Sequence, residues 1–301
     1  MPIVLAYILV VLIWSTTPLA IVWSNDSLSF IAAVTLRMFL AFCLACVVML
    51  VGGQRLSLGG GNWKVYLLAS LGLFPNMLLV YWSAQYISSG LLAIIFAMAP
   101  FFTGLFSLVV LRAYVFNPRR VGALLLALAG LVLIFKNQLS AGPDALWGVL
   151  GILGSCVLFA LTGIGLKKMN SELGAINQTA GALGFALPGF LLTWYFVDGE
   201  IPAIISTHSM YAVAYLAVMG SLVGIALFIY LIKHLSMDSV SLITMLSPVI
   251  ALGLGAVVAG EILTPTLVVG AVLVLVSLLI YQGIGFRATK RWLTGAAEVS
   301  G

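Results

Sequence analysis

Charge is what this sequence most lacks. Its 301 residues include 13 Lys and Arg, 8 Asp and Glu and 2 His, so charged side chains make up 7% of the chain. A soluble domain carries about 25%. With 63% apolar residues, the chain could not hide its apolar surface in water or stay dissolved. That excludes a soluble enzyme, a nucleic-acid binder and a disordered chain. Cysteine is scarce as well. Cys43, Cys46 and Cys156 all lie in apolar runs, and the CxxC at 43–46 has no second Cys/His pair beside it, so it reads as inert packing. No GxxxxGK[ST] loop is present to cradle ATP phosphates. The acids Asp26, Asp144, Glu172, Asp198, Glu200, Asp238, Glu261 and Glu298 fall in loops or at span ends, as do His208 and His234. No catalytic set for a membrane-embedded enzyme can be assembled from them. No enzyme activity, cofactor or metal is therefore expected, and no mid-depth carboxylate is available for ion coupling.

What the sequence has in abundance is long apolar runs. A helical membrane span needs about 20 apolar residues. Ten such runs can be cut, at 3–23, 29–51, 64–86, 89–111, 119–136, 146–166, 174–197, 210–232, 239–260 and 265–285. They do not alternate apolar and polar residues, which excludes membrane β-strands. The first run is span-length without a basic stretch before it, so no cleavable leader is expected. A basic tail is read from Arg287 to Gly301.

Loop charge supports the count. With the N terminus in the cytoplasm, the inner loops and tail hold Arg55, Lys64, Arg112, Arg119, Arg120, Lys167, Lys168, Lys233, Arg287, Lys290 and Arg291, and the outer loops hold Lys136 alone. Basic residues are retained on the cytoplasmic side, so both termini are predicted inside. A missed or extra span would scramble this pattern.

The chain also repeats itself. At an offset of 148, Leu68, Ala69 and Gly72 meet Leu216, Ala217 and Gly220; Ser88 meets Ser236, Pro100 meets Pro248, and Gly122–Ala123 meets Gly270–Ala271. WSTTPLA at 14–20 faces FALTGIG at 159–165. The expected division is a first five-span unit over 1–140, a second over 141–286 and the tail over 287–301. Five is odd, so the second unit enters the bilayer from the opposite side, and a direct sequence repeat becomes an inverted structural one. The predicted fold is an all-α membrane protein of ten helices in two inverted five-helix repeats, an architecture of secondary transporters with a midplane substrate site between the halves.

Candidate site residues follow from polar or aromatic groups in the spans. Trp14 lies mid-span, where it packs the bundle or stacks on ligand; its repeat partner is Phe159. Asn76 follows Pro75 and needs amide partners, either a substrate or a freed carbonyl. Trp82 and Tyr230 occupy matched repeat positions and either wall a cavity or form an interfacial belt. Phe101 follows Pro100. Thr162, Gln178, Thr244 and Ser247 add neutral hydrogen-bonding groups, each also able to act as helix–helix glue. Pro75, Pro100 and Pro248 are candidate bends, the last two expected as a matched pair beside the site. Gly72, Gly220 and Gly224 permit close helix approach, with packing the favoured reading over sliding, and Pro188–Gly189 marks a kink. Arg37 sits about eight residues into its span, roughly 12 Å deep at 1.5 Å per residue, awkward for snorkelling alone. It is either a structural tether or an anchor for a substrate carboxylate.

The motifs IWSTTP at 13–18, TLRMFLA at 35–41, SSGLLAIIFAMAPFF at 88–102 and SLITMLSPVIALGLGAVVAGEILTP at 241–265 resemble the drug/metabolite transporter superfamily, in its ten-helix branch with two EamA-type repeats. That family often places a glutamate and then a proline after the proline-bearing fourth span. The second repeat keeps them as Glu261 and Pro265; the first has Ala113 opposite Glu261, so no role for the glutamate carries over to the first half. Within the superfamily the aromatic-rich pattern resembles exporters of amino acids, aromatic ones in particular. The resemblance implies a carrier in the bacterial inner membrane for a small neutral or zwitterionic metabolite. A phosphorylated substrate, as in sugar-phosphate or nucleotide-sugar carriers, would call for several buried cations, and only Arg37 qualifies. The implied partners are the lipid bilayer and the solute.

Overall fold

The computed structural model describes residues 2–283 apart from 111–116, 142–143, 170–172, 201, 203 and 236. Arg112, Ala113, Glu172 and the 287–301 tail lie outside the described residues. Ten helical spans are present among the described residues. They are α1 (Ile3–Ser24), α2 (Phe30–Val51), α3 (Asn62–Leu71) continued by α4 (Asn76–Ser83), and α5 (Ser89–Phe96) continued by α6 (Ala99–Val110). Then come α7 (Pro118–Ala141), α8 (Ala145–Met169) and α9 (Ala175–Thr193), the last ending in a π-helical turn, Trp194–Asp198. The eighth span joins α10 (Thr207–Tyr215), a π-helical stretch at Leu216–Val223 and α11 (Gly224–His234); α12 (Met237–Val258) and α13 (Pro265–Gln282) follow. Nine spans are long and apolar enough over their described side chains to cross a bilayer; in the remaining one, α12, the described apolar stretch is Ile243–Val258. In lipid every backbone N–H and C=O must find its partner within the protein, and helices do this locally. Side chains that would be anomalous on a soluble protein face outward here, such as Val51 at 86% exposure and Phe196 at 76%.

Four spans begin with a hydroxyl cap, all at the face opposite the N terminus. Ser29 accepts from the Ala32 N–H, Ser88 from Leu91, Ser206 from Ser209 and Thr264 from Leu267, with Pro265 at the first helical position. Each hydroxyl satisfies an orphan donor of the first turn, and proline at that position gives up a donor that has no helical partner anyway.

The two halves meet by exchange of equivalent partners. In the first half α1 packs on α12 and on the eighth span; in the second, its counterpart α8 packs on the fourth span and on the third. The α2 helix packs on the π-helical stretch of span eight, and α9, the span equivalent to α2, packs on α3. Equivalent spans also pair directly: α2 with α9, α5 with α12 and α7 with α13. At the last crossing a Cβ on Gly130 would lie 2.7 Å from the Gly270 carbonyl oxygen, and one on Gly270 would lie 2.9 Å from that of Gly130. Such small-residue contacts hold membrane helices together where no hydrophobic effect operates between them. Two repeats related by exchange, each crossing five times, give the two-repeat inverted bundle that the sequence predicts. One large core cluster runs through both halves, and a smaller one joins α1 to spans eight and nine around Val10, Leu231 and Ile243.

Candidate functional site

Both repeats interrupt their third span at the same place. In the first half the helix stops after Leu71 and restarts at Asn76; in the second, the equivalent residues fall in the π-helical stretch Leu216–Val223. The matched glycines sit at these breaks, each against a threonine of the other half. A Cβ on Gly72 would lie 3.2 Å from Thr162 Cγ2, and one on Gly220 would lie 3.7 Å from Thr17 Oγ1. Thr17 and Thr162 are themselves matched in the repeat alignment. This Gly–Thr crossing, present twice, marks where the halves touch at mid-span, and it places Gly72 and Gly220 in packing seams.

The second copy of the crossing carries Arg37. The residue is 6% exposed, and it is the one buried charged side chain among the described residues. Its Nη2 would lie 3.3 Å from a Cβ on Gly220. Nε donates to the Ser221 hydroxyl at 3.4 Å and Nη1 to the Tyr81 hydroxyl at 3.3 Å, with the guanidinium carbon 5.9 Å from the Tyr81 ring centre. Ser221 Oγ in turn donates to the Leu216 carbonyl at 3.0 Å, across the widened turn. Thr16 and Tyr215 pair their hydroxyls at 2.5 Å. They also line a cavity of ≈350 Å³ between α1, α10 and α12, which extends past Trp23 and His208 toward the face opposite the N terminus.

The other candidates distribute as follows. Asn76 is fully buried; its Nδ2 donates to the Gly72 carbonyl at 2.9 Å and its Oδ1 accepts from Ser155 at 2.6 Å. The amide thus bridges the gap after Gly72 and ties the third span to α8. Thr162, against Gly72, is 7% exposed. Trp14 stacks on Phe228 at 4.7 Å and joins Tyr230 in the smaller apolar cluster. Trp82 rests its ring on Tyr86 and on Gly151 of α8. Phe101 is buried against Tyr281 of α13 at 4.7 Å, and Phe159 is half exposed beside Phe96. Gln178 and Thr244 are partly buried, on α9 and α12. Ser247 is buried with its hydroxyl unpartnered. These residues fall at several seams of the bundle rather than around one cavity.

The two matched prolines sit in different local structure. Span four is interrupted at Ala97–Met98, just before Pro100, whereas Pro248 lies inside the continuous helix α12. A proline in the first turn costs no hydrogen bond, so a helix that restarts at Ala99 accommodates Pro100. Pro248 has no such restart.

Several polar ties join the two halves at the face opposite the N terminus. Glu261 Oε1 accepts from the Ser89 N–H at 2.7 Å and its hydroxyl at 2.6 Å, and Oε2 accepts from the Gly90 N–H at 3.1 Å. A carboxylate of the second repeat thus caps a helix of the first, where the helix dipole favours negative charge. Ser29 donates to Asp198 at 2.5 Å. Ser27, Ser206 and Ser209 form a hydroxyl cluster, and His208 Nδ1 lies 3.0 Å from Asp26. Tyr81, Tyr215, Ser221 and the Glu261–Ser89 tie were not singled out from the sequence; the hydroxyl caps at span starts were the available signal for the last.

Comparison with known proteins agrees with this architecture. The chain is 29% identical over 185 residues to the uncharacterized inner membrane transporter YedA of Escherichia coli K12, covering 60% of this chain. The alignment spans 57% of that relative's length. It is 25% identical to the protein PagO of Salmonella typhimurium over 82% of each chain. An uncharacterized transporter of Archaeoglobus fulgidus is 25% identical over 90% of this chain and 95% of its own. A crystal structure shares the fold with a TM-score of 0.63 at 19% identity, covering 94% of this chain and 97% of that one. The EamA-like transporter family matches twice, over residues 1–136 and 146–282, and the chain belongs to that family.

Proposed function

We propose that the protein is a secondary carrier of the inner membrane that exports amino acids, aromatic ones among them, or similar small zwitterionic metabolites by alternating access. The observation that carries this reading is the exchange-related packing of two repeats whose described polar ties cluster at one face. Such a bundle has a second, equivalent arrangement in which the opposite face closes, so one sequence supplies both states of a carrier. On the cytoplasmic orientation of both termini that the loop charges predict, the face that carries these ties is the outer one. The cavity walls at Thr16, Trp23 and Tyr215 offer hydroxyls and aromatic faces, which suit a neutral or zwitterionic solute. The ≈350 Å³ cavity lies within the usual range for small-molecule sites, about 300–1,000 Å³. Because no carboxylate is buried among the described residues, solute moves down its own gradient.

Counterflow of radiolabelled amino acids in proteoliposomes tests the proposal. Preloaded phenylalanine or tryptophan should accelerate uptake of the labelled species above protein-free liposomes. No counterflow across an amino-acid panel would overturn the substrate class. Uphill uptake driven by a pH gradient alone would overturn the uncoupled mechanism.

A further inference from the structure

We infer that Arg37 is the anchor for the carboxylate of the transported solute. The inference rests on the carrier reading above and goes beyond it by naming the group on the solute that the protein grips. A charge at mid-span is expensive to bury, and structure alone retains it when carboxylates or carbonyls fully occupy its donors. Arg37 is not held that way. Among the described residues it has no acidic partner. Its hydrogen bonds run to two neutral hydroxyls, at 3.3 and 3.4 Å. A guanidinium has five N–H donors, so one donor on Nη1 and both on Nη2 stay unused among those residues. The backbone opposite Nη2 is Gly220, inside the π-helical stretch, where any side chain would press on the free nitrogen at 3.3 Å. Thr17 flanks the same point. The free edge of the fork therefore lies where α1, α2 and span eight meet, between the two halves. A planar fork with adjacent free donors matches a carboxylate bidentately. The Ser221 and Tyr81 hydroxyls, bonded to Nε and Nη1, orient it.

The test compares Arg37→Gln with wild type in proteoliposome counterflow, using L-phenylalanine and L-phenylalaninamide. The two share ring and amine and differ in the carboxylate. Thermal stabilisation of the purified full chain by phenylacetate, phenylacetamide and inorganic phosphate runs alongside. Losing a charge-assisted hydrogen-bonded pair should cut the preference for acid over amide by about 10- to 100-fold, and Arg37→Lys should restore part of it. An equal loss for acid and amide would make Arg37 a structural tether and overturn the inference while leaving the carrier reading intact. If no amino acid is moved but phenylacetate stabilises wild type and not Arg37→Gln, the amino-acid reading falls and the anchor stands. If phosphate stabilises in place of the carboxylates, or no acid acts on wild type, the anchor falls. Should Arg37→Gln fail to fold, Arg37→Lys decides alone, because an ammonium lacks the fork: an acid-to-amide ratio unchanged from wild type overturns the inference.

Discussion

Asn76 shows how a single side chain in a dry interior is committed. Its carboxamide oxygen and nitrogen are both engaged, with Ser155 and with the Gly72 carbonyl. The sequence leaves substrate and freed carbonyl as equal choices, because Pro75 is visible there but the course of the chain around it is not. In the structure the carbonyl is that of Gly72, four residues back, which Asn76 would reach through its backbone in a regular helix. Asn76→Ala should therefore act on stability: it strands a buried carbonyl and a hydroxyl that has to re-bond within its own helix. Membrane hydrogen bonds average about 0.6 kcal/mol and reach about 1.7, so the loss should be about 1–2 kcal/mol, read as a lower unfolding midpoint in detergent. Unchanged stability together with a raised transport KM would instead put the amide in contact with solute. Arg37 is the contrasting residue. Its depth and cost are legible from position, but its unused donors depend on where span eight bulges.

At the scale of elements, the boundaries were readable because lipid demands uninterrupted apolar runs. The expected span at 89–111 and the observed α5 begin at the same residue, Ser89. The interiors were not readable in the same way. A π-helical stretch at Leu216–Val223 and a clean break at Leu71–Asn76 occupy equivalent places, yet one arises beside a proline and the other beside none. Hydropathy does not distinguish them. The Glu261 cap was equally hidden, since residues 172 apart in sequence meet there only through the packing of α5 on α12. Its energetics are nonetheless simple. Glu261 satisfies the first two N–H groups of α5 and the Ser89 hydroxyl. Bonds to a charged acceptor are worth about 1.5–3 kcal/mol. Glu261→Ala should loosen the contact of α5 with α12 and raise the population open at that face. A cysteine placed at Ser88, in a background without the native cysteines, should then react faster with an impermeant maleimide than it does with Glu261 intact. Equal rates would mean the cap is no part of the closure.

For the whole molecule, the question is whether closure at one face is a state of the carrier or a permanent feature of its architecture. The ties at that face are short polar contacts among Ser27, Ser206, Ser209, Asp26, His208, Asp198 and Glu261, most of them part-buried, rather than an extended apolar seal. The exposed Asp26–His208 pair is worth about 0–1 kcal/mol and the Glu261 bonds about 1.5–3 kcal/mol, a cost that a bound solute can meet through its differential affinity for the two states. The apolar contacts between equivalent spans, such as Gly130 with Gly270, bury backbone against backbone and do not part so cheaply. The geometry thus separates a set of contacts that can open from a set that hold the halves together. Ser27 and Ser206 report on the first set, with hydroxyl oxygens 3.2 Å apart, close enough for thiols in their place to reach a bond of about 2.05 Å after small adjustment. With both replaced by cysteine and the native cysteines removed, oxidation should fix this face shut. Counterflow should fall to the level of empty liposomes and return on reduction, while each single replacement transports under either condition. Transport that persists through the crosslink would mean that these contacts never separate, and that the solute enters and leaves by a route the two-state exchange of repeats does not describe.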